Sequence, residues 1–138
     1  MTLVVDASVA AKWFIEETGR ARAMRLLDMA DRQAPDLLIA EVANVVWKKT
    51  LRGQVSETQA RLICASIAHY FDALHSSDSL IERAIAMAVV LQHPVYDCLY
   101  LACAERVGAR LATADRRLIA SVQGSFFASL VVDIDDLG

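Results

Sequence analysis

Apolar residues in this chain fall into short runs that alternate with stretches of helical spacing, which predicts strands and helices in turn. Residues 2–5 (TLVV) form an apolar run ending at Asp6 and read as a strand. SVAAKWFIEE follows as a helix with Val9, Trp13 and Phe14 facing inward, and Thr18-Gly19 breaks it. A second helix is expected over about residues 20–32, with Ala23, Met24, Leu27 and Ala30 as its apolar stripe and four arginines mostly outside it. Pro35 ends that unit. DLLI (36–39) reads as a buried strand, and AEVANVVWKKTLRG as a helix from about 40 to 52 stopped by Gly53.

The second half repeats the alternation. Ser56-Glu57-Thr58-Gln59 resembles a capping box opening a helix to about Tyr70. DALHS is a short strand, residues 79–92 an Ala-, Ile- and Val-rich helix, and His93-Pro94 a turn. VYDCLYLACAERVG is a helix ending at Gly108, ARLATAD a strand ending near Asp115, RRLIASV a short helix and ASLVVDID a last strand. The expected fold is α/β: one domain over residues 1–138, with a small, mainly parallel sheet surrounded by helices.

Composition narrows the class. A chain of 138 residues, 56% hydrophobic and 22% charged, is neither disordered nor low-complexity. At this size about two thirds of the unfolded surface is buried, enough for a core without disulfide or metal staples. Cys64, Cys98 and Cys103 are an odd, sparse set with no CxxC pair, as in a reducing cytosol. The N-terminus has no basic leader, the uncharged stretch 84–96 is too short to span a bilayer and contains Pro94, and the stretch 118–132 is interrupted by Gln123, Gly124 and three serines. A cytoplasmic protein with no membrane partner is expected. The net charge of −3 excludes a globally basic nucleic-acid footprint, although eleven of the fourteen basic residues are Arg, which suits local phosphate contacts.

Four acidic residues sit where carboxylates are costly. Asp6 ends the first strand, Glu41 lies within an apolar helical stretch, Asp97 lies in VYDCLYLACA, and Asp115 follows ARLATA. In a parallel α/β sheet the strand C-termini share one edge, where ligands bind, so Asp6, Glu41 and Asp115 converge by topology. Asp97 joins them if its helix crosses that edge. Clustered carboxylates repel one another and demand a compensating cation. Oxygen ligands without His or Cys at ligand spacing suit Mg²⁺, or Mn²⁺, held for phosphodiester hydrolysis.

Each residue also has a plainer reading. Asp6, Asp97 and Asp115 fit helix caps, and Ser8 and Thr113 fit caps or turn formers as well as partners of a carboxylate or metal-bound water. Glu41 shares a polar stripe with Asn44 and Lys48. Lys12, Arg116 and Arg117 read as solvated charge, the three histidines as structural, and Met24, Met29 and Met87 as core.

The segments VVDASVAAKWF, PDLLIAEVANVVWK and HPVYDCLYLACAERVGARLATADRRL, in that order and spacing, resemble the PIN domain and, more narrowly, the VapC toxins of prokaryotic toxin–antitoxin pairs. The likeness runs from about residue 3 to 135. It implies a Mg²⁺-dependent endoribonuclease that cuts RNA, is usually a homodimer and is silenced by a VapB-type antitoxin. It implies further that Asp6, Glu41, Asp97 and Asp115 form the catalytic, metal-binding quartet, with Ser8, Asn44 and Thr113 as polar helpers.

Two other classes compete. A phosphoacceptor receiver domain would carry paired acids after strand one and a late Lys, but Ala7 follows Asp6 and no Lys follows Lys49. A catalytically silent PIN-type module that binds RNA or a partner has the same quartet and differs only in turnover. The apolar excess points to a self-association face on the Ala-rich helices 56–71 and 79–92, a tight internal core being the alternative. An antitoxin would offer Arg or Lys to the acids and lay an apolar helix near Trp13 and Phe14.

Overall fold

The computed structural model describes residues 1–137. It contains five parallel strands in the order β3-β2-β1-β4-β5: β1 Thr2–Val5, β2 Asp31–Pro35, β3 Ala73–His75, β4 Arg110–Thr113 and β5 Val131–Asp133. Around the sheet lie α1 Ala7–Ala10, α2 Arg20–Met29, α3 Leu37–Leu51, α4 Glu57–Ser66, α5 Ser77–Leu91, α6 Val95–Val107 and α7 Arg116–Val122. The α/β reading is correct in class and in strand direction.

β1 holds the centre because it can be buried on both faces: Leu3, Val4 and Val5 are all at most 1% exposed. Removing each from water contributes about 1.5–3 kcal/mol. α6 packs against β1, β2, β4 and α5, and every residue from Cys98 to Ala104 is buried. The chain turns by 116° between α5 and α6. Gln92 makes that corner in the left-handed region (φ 52°), the one non-glycine described residue to do so, and Pro94 starts α6. No single described helix is long and apolar enough to cross a membrane.

Several boundaries differ from the sequence reading. The strand expected at 36–39 is instead Asp31–Pro35, and DLLI belongs to the start of α3. An apolar run of four fits a buried strand or a buried helix equally well. The polar DRQ segment gives no strand signal in the sequence because its partners lie mostly elsewhere in the chain. Gln33 pairs with His75 across β2 and β3, and Arg32 donates to the Leu26, Leu27, Ala30 and Tyr70 carbonyls. α2 therefore stops at Met29, and Arg32 tethers the end of that helix. The first helix is cut to Ala7–Ala10 plus a 3-10 turn, Ala11–Trp13. Trp13 is fixed there by its indole N–H to the Ala23 carbonyl at 2.8 Å. Met24 and Met29 lie on the exposed side, unlike Met87, which is buried. Lys12 is not solvated: it donates to the Thr18 carbonyl and meets Glu17, which Lys49 also meets.

Candidate functional site

The strand order reverses around β1, so β2 and β4 flank it on opposite sides. Their carboxyl ends open a crevice at that point, as in other doubly wound sheets. There a cleft of about 380 Å³ is lined by Asp6, Ser8, Glu41, Asn44, Asp97 and Asp115, with Leu37, Val45 and Tyr96 as apolar walls. Four carboxylates from four segments meet in one place, and among the described residues no Lys or Arg shares the lining. Thr113 lies just behind, fully buried, at the end of β4.

Asp6 is the deepest of the acids, at 5% exposure. It caps α1, so the plainer reading holds alongside the chemical one: Oδ1 accepts the Val9 amide at 3.2 Å and the Ser8 hydroxyl at 2.6 Å. Oδ2 accepts the Thr113 hydroxyl. Those hydroxyls are themselves held: Ser8 Oγ accepts the Ala114 amide and Thr113 Oγ1 the Asp115 amide, both at 3.0 Å. The two hydroxyls thus stitch the ends of β1 and β4 together at the crevice. Burial pushes the Asp6 carboxyl up from its ordinary 3.8 to about 7, against the Ser8, Thr113 and Val9 hydrogen bonds and with a contribution from Asp97.

The other three acids each have one oxygen occupied. Glu41 stands on the second turn of α3, where Leu38, Val42 and Val46 face the core. Its Oε1 accepts the Tyr100 hydroxyl at 2.6 Å. Burial raises its pKa, opposed by that hydrogen bond and reinforced by Asp97 and Asp115. Asp97, in the first turn of α6, pairs through Oδ2 with His93 Nε2 at 2.6 Å. It is not a cap, since Pro94 fills that place without a side-chain bond. Asp115 does cap α7, with Oδ1 accepting the Arg117 amide at 2.9 Å.

Every one of the acids read from the sequence is therefore at the cleft, with Ser8 and Asn44 beside them and Thr113 behind. Among the described residues no three His, Cys, Asp or Glu side chains stand close enough to enclose an ion as they are, because Asp97, Glu41 and Asp115 lean on His93, Tyr100 and the α7 N-terminus. The donor set still suits a hard cation: it is oxygen-only and multiply negative, and burial, with a smaller contribution from neighbouring carboxylates, raises the Asp6 and Glu41 pKa values. Two residues escaped the sequence reading. His93 shares no spacing with a nucleophile and reads as structural, and nothing near Tyr100 in sequence marks it as a partner of Glu41. Arg116 is bound to Asp133 and Asp135 and not to the cleft. Burial raises the Cys98 and Cys103 thiols to about 11 and about 12, which leaves both unreactive as nucleophiles.

The sequence profile of the PIN domain matches residues 3–123. Ribonuclease VapC3 of Pyrobaculum aerophilum is 37% identical over 121 residues, which cover 86% of this chain and 92% of that protein. Ribonuclease VapC1 of Mycobacterium tuberculosis is 32% identical over 121 residues, covering 86% and 89%. In fold, the chain is similar to a crystal structure from P. aerophilum (TM-score 0.69, 24% identity, 98% and 92% covered). It is also similar to a chain of a toxin–antitoxin complex from Klebsiella pneumoniae (TM-score 0.60, 18% identity, 96% and 98% covered).

Proposed function

Because the chain belongs to the PIN-domain family, we propose that it is a divalent-metal-dependent endoribonuclease, the toxin of a VapBC-type pair, working as one nuclease domain over residues 1–138. The observation that carries the reading is the cleft itself, with four carboxylates from four segments and no basic side chain among its described lining residues. Such a set is stable as anions only with a cation between them.

Asp6 and Asp97 are the direct ligands in this reading, and Glu41 and Asp115 act through water. Mg²⁺, or Mn²⁺ in its place, would supply Lewis acidity at the attacked phosphate and lower the pKa of an attacking water. The protein's own part is positional. Ser8 and Thr113 hold the Asp6 carboxylate and spend their hydrogens on it, so it stays aimed. Asn44, exposed beside Glu41 on α3, offers an uncharged amide to a bound RNA strand. Leu37, Val45 and Tyr96 form an apolar wall against which a base can lie.

The partner is a VapB-type antitoxin whose Arg or Lys occupies the acid cleft in place of the metal. Trp13 is buried and offers it nothing, but Phe14, Val55 and Leu62 line a groove between the first helix and α4 that suits an apolar segment. A homodimer is supported by Ile81, Ile85 and Val89, exposed at four-residue spacing along α5. Three unpaired cysteines fit a reducing cytoplasm.

Incubating the chain with structured RNA and Mg²⁺ or Mn²⁺ tests the reading. Cleavage by the unmodified chain and none by Asp97→Ala is the expected result. RNA left intact at every metal concentration would favour the silent binding module.

A further inference from the structure

From Cys98 to Ala104 the buried length of α6 carries apolar or sulfur-bearing side chains, with Tyr100 as the one exception. A phenol in such a place needs an acceptor. Tyr100 is 1% exposed and finds its acceptor on another helix, 59 residues away in sequence, at Oε1 of Glu41. Phenylalanine would fill the same volume, so packing alone does not call for the hydroxyl. Burial and the neighbouring Glu41 hold the phenol well above its ordinary pKa, and it remains a donor.

The three outer carboxylates show why Glu41 needs it. Asp97 and Asp115 are short and are held by groups within four residues of themselves, His93 and the first amides of α7. Glu41 has one more rotatable bond and no such local tether, so ordering it costs more side-chain entropy. Among the described residues no protein donor reaches its Oε2, while the residue itself lines the cleft.

We propose that Tyr100 is a positioning residue of the cleft: its hydroxyl, anchored in the core, donates to Oε1 of Glu41 and holds Oε2 ready for the hydration shell of the divalent ion. The role rests on the metal-nuclease reading above.

Calorimetric titration of Mn²⁺ into the metal-free full chain tests it, with RNA cleavage followed against Mn²⁺ in parallel. Tyr100→Phe is expected to keep its far-UV spectrum and to bind Mn²⁺ about tenfold or more weakly, the usual consequence of losing a partner that orients a ligand. Its cleavage rate should climb back toward that of the unmodified chain as Mn²⁺ is raised. In a Glu41→Ala background the same substitution should change Mn²⁺ affinity no further. Overlaying Mn²⁺ curves for Tyr100→Phe and the unmodified chain, or a further tenfold loss in the double variant, would overturn the role. So would a Tyr100→Phe chain that cannot fold, because the hydroxyl would then serve the fold. An unmodified chain that binds no Mn²⁺ overturns the metal reading itself and this role with it.

Discussion

Asp6→Asn in metal-free solution isolates the electrostatic cost of the cleft. The folded Asp6 titrates at about 7 against an ordinary 3.8, so it is a carboxylate with a raised pKa, and burial is the main cause. The folded state then holds a proton that the unfolded state has already lost, and stability falls as pH rises between the two values. At about 1.4 kcal/mol per pH unit, the full cost above pH 7 is about 4 kcal/mol.

Asn removes that cost but presents an NH₂ group to one of the three donors that Asp6 accepts. Losing one charge-assisted hydrogen bond subtracts roughly 2 kcal/mol. The balance at pH 8 is a gain of about 2 kcal/mol, or about 7 °C in Tm for a chain of this length. At pH 5 roughly 1.6 kcal/mol of the cost has accrued, and the two chains should melt together. Differential scanning calorimetry in EDTA at the two pH values reads this directly. Saturating Mn²⁺ at pH 8 should then stabilise the unmodified chain and leave Asp6→Asn where it was. A Tm difference that does not widen between pH 5 and pH 8 refutes the reasoning, since nothing but ionisation makes the gap depend on pH.

Asp97→Asn should abolish the Mn²⁺-induced rise in Tm and the RNA cleavage together; retention of full cleavage would remove Asp97 from the mechanism. Thr113→Val strips a fully buried hydroxyl from Asp6 and from the Asp115 amide. It should destabilise the chain by about 1–3 kcal/mol in urea unfolding, and it should move the Asp6 titration higher, because the Thr113 bond works to lower it. Light scattering at micromolar concentration should give twice the chain mass of 15.1 kDa, falling to one chain mass in Ile85→Glu. Co-expression with a VapB-type antitoxin that binds the chain should yield a complex that cuts no RNA, and an active complex would overturn that part of the proposal.

The four acids were legible in the sequence because each breaks a local rule, a charge at the end of an apolar strand or inside an apolar helix. Topology then does the rest: once β1 and β4 are parallel neighbours, Asp6 and Asp115 emerge on the same edge. Glu41 was found although the strand before it was misplaced, since moving the strand from 36–39 to 31–35 leaves Glu41 on α3. What stayed hidden depends on pairing across space. Nothing near Tyr100 in sequence announces Glu41, and Arg32 reads as an exposed helix charge until its carbonyl acceptors are seen. DRQAP has no apolar period, and its strand exists because β1 and β3 offer free edges on either side.

One of the two hydroxyls that hold Asp6, that of Thr113, lies 107 residues further along the chain. During synthesis β1 leaves the ribosome first and can pair early with β2, but its other edge has no partner until β4 follows. Closing so long a loop is slow, and domains made of such pairings fold late. A growing chain, or one truncated before Thr113, therefore holds Asp6 on an unfinished sheet, without its Thr113 hydrogen bond and without Asp115 across the crevice. The order of the strands therefore sets when the cleft is complete: its fourth acid and the Thr113 hydroxyl arrive only with about the last fifth of the chain, once β4 has joined the sheet.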